Sequence, residues 1–155
     1  MDPQAEHDPE AARKPAFDTE SFVRAAGDAI VAAGPDGAIL AWNPAAERIF
    51  GFTEAEALGA SLDLIIPERQ RQRHWEGYDK VMGSGQTRYG NDVLRVPALH
   101  KEGRPLSIAF TVTLLYTPER QVSAIIAIIR DETERWQEER RLRLRIAELE
   151  RGQPS

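Results

Sequence analysis

The stretch DAIVAAGPDGAILAWNPAAERIFGF, residues 28–52, decides the fold. AIVAA (29–33) is a short apolar run, GPDG (34–37) is turn chemistry, and AILAW (38–42) is apolar again. In such a turn proline presets φ, aspartate bonds the local backbone and glycine accepts positive φ. Two apolar runs joined this way predict a β-hairpin. The period then changes. Asn43 is a favourable N-cap, Pro44 suits the first helical position, and Ala46, Ile49 and Phe50 share one face before Gly51 ends the helix.

Working outward, DTESFVRAAGDAI (18–30) predicts a short helix capped by Asp18 or Thr19. TEAEALGA (53–60) repeats the capping logic, with Thr53 as cap, glutamates in the first turn and Gly59 as stop. SLDLIIP reads as a buried connector, and Pro67 opens a longer helix, ERQRQRHWEGYDKVM (68–82), which GSGQ (83–86) breaks. RYGNDVLRVPALHKEG and RPLSIAFTVTLLYTPERQ predict two long strands joined at HKEG (100–103). In the second, Leu106, Ile108, Phe110 and Val112 alternate with Ser107, Ala109, Thr111 and Thr113, the period of a sheet with one better-buried face. VSAIIAIIRD (122–131) is apolar almost throughout, as a central strand should be. ETERWQEERRLRLRIAELERG follows as a charged helix bearing Leu142, Ile146 and Leu149. The order predicts an α+β fold: a five-stranded antiparallel sheet, helices over one face, and flanking N- and C-terminal helices.

Composition narrows the function. The chain has 155 residues, 41% of them hydrophobic, enough for one core. Its formal charge of −5 lacks the basic footprint of a nucleic-acid binder. The absence of cysteine excludes disulfides, thiolate metal sites and cysteinyl photochemistry. No apolar run approaches 18 residues, so no membrane span is expected, and the acidic N-terminus has no secretory h-region. The reading divides the chain into a disordered leader (1–16), one domain with its N-terminal helix (17–131), a signalling or dimerisation helix (132–151) and a tail (152–155). No Gly-rich phosphate loop, HExxH or GxSxG is present, so catalysis is not expected.

Taken together, these motifs resemble the PAS family. Residues 28–67 are similar to its first half: a DG hairpin, an "xNxAAExxFG" helix, an "xxExxG" turn and an "xxxxxP" connector. HKEG, the alternating strand and the exit Arg130, Asp131, Thr133, Glu134, Arg135 resemble its second half, with Glu132 where an apolar residue is usual. The resemblance covers about residues 20–135. It implies the PAS fold and a sensory, dimerising module: signal perception passed to a partner, not catalysis.

The helix at 68–82 supplies the ligand candidate. His74 shares a face with Gly77, Tyr78 and Val81, His7 lies in the leader, and His100 abuts a turn. Neutral imidazole is a common axial ligand of haem iron. Haem-binding PAS domains of rhizobial oxygen-sensor kinases carry their proximal histidine in an "ExxRxRH" context, to which ERQRQRH is similar. That resemblance implies haem b held by His74, with Gly77 leaving room beside the ring, Tyr89 at the rim, and Leu94, Phe110, Val112, Ile126 and Ile128 as walls. The arginine those sensors use on the next strand is replaced by Leu94, and Arg95 belongs to the opposite face. The expected function is therefore a cytoplasmic sensor of a gas (CO, NO or O2) or of redox state. It would be a homodimer through 17–27 and 132–150, with Arg130, Asp131 and Thr133 as the signalling exit and an unknown partner in trans. Running from an initiator methionine to a polar tail, the chain is expected to stand alone. The alternatives are a cofactor-free interaction module and a fragment of a sensor kinase.

Overall fold

The structure, a computed structural model, describes residues 16–87 and 91–152. The elements follow in the order α1 (Thr19–Ala25), β1 (Ala29–Ala33), β2 (Ile39–Trp42), α2 (Pro44–Phe50), α3 (Glu54–Ala57), a 3-10 turn (Leu62–Ile65), α4 (Glu68–Ser84), β3 (Leu94–Leu99), β4 (Pro105–Tyr116), β5 (Val122–Asp131) and α5 (Thr133–Arg151). The five strands form one antiparallel sheet in the order β2-β1-β5-β4-β3. β5 is central, paired with β1 on one side and β4 on the other.

The caps act as the sequence requires. Asp18 accepts from the Glu20 N–H, Asn43 from the Ala46 N–H, and Thr53 and Glu56 form a reciprocal capping box. Asn43 does more. Only 2% exposed, its Oδ1 also accepts from the Ile30 N–H, and its Nδ2 donates to the carbonyls of Val23 and Asp28. One side chain thus ties α1, β1 and α2 together with no polar atom left over.

One sheet face, with Ala29, Val31, Trp42, Leu106, Ile108 and Ile129, packs on Ala45, Ala46 and Phe50 of α2, Ala57 of α3 and Ile65. Two expectations change. The connector 61–67 contains a 3-10 turn capped by Ser61, and β3 is short, beginning at Leu94, because Asn91 occupies a turn. The leader up to Pro15, His7 within it, and the tail at 153–155 lie outside the described residues.

Candidate functional site

α4 lies across the end of the sheet where β1 turns into β2. One face of it is fastened there. The Trp75 indole N–H donates to Asp63 Oδ1 at 2.8 Å, and Arg71 donates to the carbonyls of Ile66 and Asp63. The Tyr78 hydroxyl, on a side chain 6% exposed, donates to the Gly34 carbonyl. The Trp75 ring lies in the dent left by Gly37, where a Cβ would sit 2.2 Å from Cη2, and Gly37 has φ +81°. Both the turn and the ring therefore demand glycine. Burial, reinforced by the Asp36 charge, pushes the Tyr78 phenol up to about 12. At its far end α4 is tied to β4 by the Tyr116 hydroxyl, which donates to the Gly85 carbonyl at 2.8 Å.

His74 sits within this fastened face. Its ring meets Trp75 edge-on at 4.7 Å between centroids and Tyr78 at 5.7 Å. The ring is half-buried, yet its Nδ1 is fully buried and has no hydrogen-bond partner, the one orphaned buried side-chain polar atom among the described residues. Burial pulls the imidazole below its ordinary pKa, with the Asp63 carboxylate opposing, so the neutral, ligating form is favoured. A lone imidazole of this kind fits a haem iron or a hydrogen-bonding guest. Among the described residues, no group of three or more His, Asp or Glu is gathered for a metal ion.

The other expected site residues divide. Val81 is half-buried on α4, and Leu94 pairs with Phe110 across β3 and β4 on the inner face, with Val112 two residues on. Arg95 points outward to Glu132 at 3.4 Å. Ile126 and Ile128, expected as walls beside Leu94, do not share its face. Ile126 pairs with Thr113 and Ile128 with Thr111, so both lie on the outer face, and Ile128 is 45% exposed. The inner residues of β5 are Ile125, Ala127 and Ile129, paired with Leu114, Val112 and Phe110. Gly77 is also displaced. It is exposed, and a Cβ there would meet nothing within 4 Å, because three residues beyond His74 the helix has already turned toward water. Tyr89 lies outside the described residues. His100 is occupied: its Nδ1 accepts from the Glu102 N–H, and its ring fills the dent over Gly51.

The exit from β5 is a compact knot. Asp131 Oδ1 accepts from both the backbone N–H and the hydroxyl of Thr133, while Thr133 Oγ1 accepts from the Ser107 N–H at 3.0 Å. The Glu132 N–H donates to the Ser107 carbonyl. Arg130 grips Asp28 through two hydrogen bonds of 3.2 and 3.1 Å, which hold its guanidinium above its ordinary pKa. Residues 130–133 therefore tie the start of α5 to Asp28, just before β1, and to Ser107 of β4. The sequence reading places the GPDG turn but not the contacts of Asp63, Gly34 and Gly37 with α4. A tryptophan on α4 and a glycine at a turn carry no mark that pairs them.

The family model described as the PAS fold matches residues 23–137. An uncharacterized protein of Azorhizobium caulinodans is 30% identical over 145 residues, 92% of this chain and 19% of that protein. The sensor protein FixL of Bradyrhizobium diazoefficiens is 37% identical over 54 residues, 35% of this chain and 11% of that protein. The matched stretches thus span less than a fifth of the length of these relatives. Among solved structures, a PAS domain from Colwellia psychrerythraea has a TM-score of 0.65 at 21% identity, covering 75% of this chain and 95% of that one. A sensory box histidine kinase/response regulator from Burkholderia thailandensis has a TM-score of 0.61 at 18% identity, covering 86% and 98%. At these identities the structural matches speak for the fold.

Proposed function

The chain belongs to the PAS family, and from that premise we propose that its sensory input is a haem held by His74 between α4 and the inner face of the sheet. The observation that carries this is the buried, unpartnered Nδ1 of His74 in a neutral ring. The partial similarity to FixL, a sensor protein, supports it. Leu94, Phe110 and Val112 would give the site an apolar wall, and the iron would supply gas binding or redox change (CO, NO or O2). Leu94 carries no hydrogen-bond donor, so a haem held here would discriminate against O2 relative to CO and NO.

The chain's own residues carry the signal onward. α4 is fixed to the β1–β2 turn by Trp75 and Tyr78, so a displacement at His74 loads that turn and, through β1, the central strand β5. β5 ends in the Asp131–Thr133 knot, which sets the direction of α5. Two packings of this junction, differently favoured by the occupied and empty site, suffice for a switch. The module is non-catalytic, works in the cytoplasm, and pairs with a second copy through 17–27 and the exposed Leu142, Ile146 and Leu149 to act on a partner in trans. No described helix is long and apolar enough to cross a membrane.

Absorption spectroscopy of protein expressed with haem supply tests the reading. A sharp Soret band that disappears in a folded His74→Ala variant is expected. Absence of the band, or a band unchanged in that variant, refutes haem ligation. It would favour the cofactor-free module, which the fastening of α4 by Trp75 and Tyr78 also suits.

A further inference from the structure

A second feature lies outside the sensory site. A groove of about 960 Å³ runs past the free edge of β3, from Arg69 at the start of α4 to the first three turns of α5. Pro97, Pro105, Trp136 and Leu144 give it apolar walls. Its charged lining is mainly basic, with Arg69, Arg95, Arg135, Arg140 and Arg141 set against Glu132 and Glu139. That is the reverse of the chain's overall charge of −5.

Some of these cations are already paired. Arg95 reaches Glu132, Arg135 reaches Glu132 and Glu139, and Arg141 reaches Glu138. Arg69 and Arg140 have no ion pair among the described residues, and the Arg140 guanidinium lies over the Trp136 ring, 5.4 Å from its centroid. Pro97 removes an N–H from the edge strand, so an occupant would be held by side chains and not added as a sixth strand.

We propose that the acidic leader of this chain, residues 1–10, docks in this groove. It carries Asp2, Glu6, Asp8 and Glu10 with no lysine or arginine, and Pro3, Ala5 and Pro9 suit the apolar walls. Reach is sufficient. Asp28, just beyond α1, is bonded to Arg130, two residues before Glu132 in the groove. α1 is seven residues long, roughly 10 Å, and the fifteen residues before Ala16 extend up to ~50 Å. A tether of this length holds the leader at an effective concentration on the order of millimolar, so a few charge pairs suffice. The mean directions of Leu142, Ile146 and Leu149 and of Trp136 and Leu144 differ by about 150° around α5, with Ile146 about 80° from Trp136, so most of the dimerising face stays uncovered. The proposal does not depend on what His74 binds.

The chain has no cysteine, so Gln4→Cys accepts one nitroxide in the 155-residue chain. The indole resonance of Trp136, identified with Trp136→Phe, reads the contact. At low ionic strength it should lose more than half its intensity relative to the reduced label. The intensity should return at 1 M salt, where the Debye length is about 3 Å, and in an Arg69→Glu/Arg140→Glu double variant. An undiminished resonance at low salt overturns the proposal. So does a loss that survives the double charge reversal. A loss seen only when spin-labelled and isotope-labelled copies are mixed also overturns it, and would assign the contact to a second molecule.

Discussion

Replacing His74 with leucine in the haem-free protein should stabilise it. A buried donor or acceptor left without a partner costs about 1–3 kcal/mol, and His74 Nδ1 is such an atom. Leucine brings no polar atom into the same place. It forfeits the ring contacts with Trp75 and Tyr78, worth about 0.5–1.5 kcal/mol. The difference is a gain of about 1 kcal/mol, or roughly 2–4 °C in Tm for a domain of this size. Urea unfolding at pH 7 measures it, provided the m-value is unchanged. The pH profile adds an independent sign. Burial lowers the folded-state pKa of His74 below its unfolded value of 6.5, so the unfolded chain binds the proton more readily. The wild-type contribution is therefore complete above pH 6.5 and is lost as pH falls through the folded pKa, whereas His74→Leu should lose less over that window. A haem-free His74→Leu protein less stable than wild type at pH 7 would refute the reasoning, because it would mean that Nδ1 is satisfied and the site is ordinary core.

Two other perturbations probe the frame around the site. Gly37→Ala forces a β-carbon into positive φ and into the Trp75 ring. It should cost about 2–3 kcal/mol, falling to about 1 kcal/mol when added to Trp75→Ala; equal costs in both backgrounds, by thermal unfolding, would show that the ring is not seated there. Asn43→Asp keeps the cap but aims a buried carboxylate at the carbonyls of Val23 and Asp28, for about 3 kcal/mol or more at pH 7. Its folded pKa would be raised, so the deficit should shrink as pH falls toward 4; a deficit that does not vary with pH counts against this.

Much of the fold was legible. Asn43–Pro44 and Thr53–Glu56 announce helix starts whatever the tertiary context, and the two-sided apolarity of 122–131 placed β5 at the centre. The same two-sidedness hid which face each isoleucine serves. Ile126 and Ile128 look no different from Ile125 and Ile129 until the register with Phe110 is known. Gly77 failed for an angular reason: positions three and four apart share a face only approximately, and the fastened side of α4 follows Trp75 and Tyr78. Arg95 was legible because its neighbour Leu94 fixed the alternation. The clasp of Trp75 on Gly37 was not, since it joins residues 38 positions apart that no local pattern relates.

The knot at Asp131 and Thr133 also has a mechanical meaning. α5 has 19 residues, a rigid rod of about 28 Å at 1.5 Å per residue, anchored to the sheet at one end. A tilt of about 5° at Thr133 carries the Arg151 end through about 2.5 Å, half the pitch of a helix. The sheet therefore need not deform visibly to be heard: a change too small to reshape the interior is geared up along the rod.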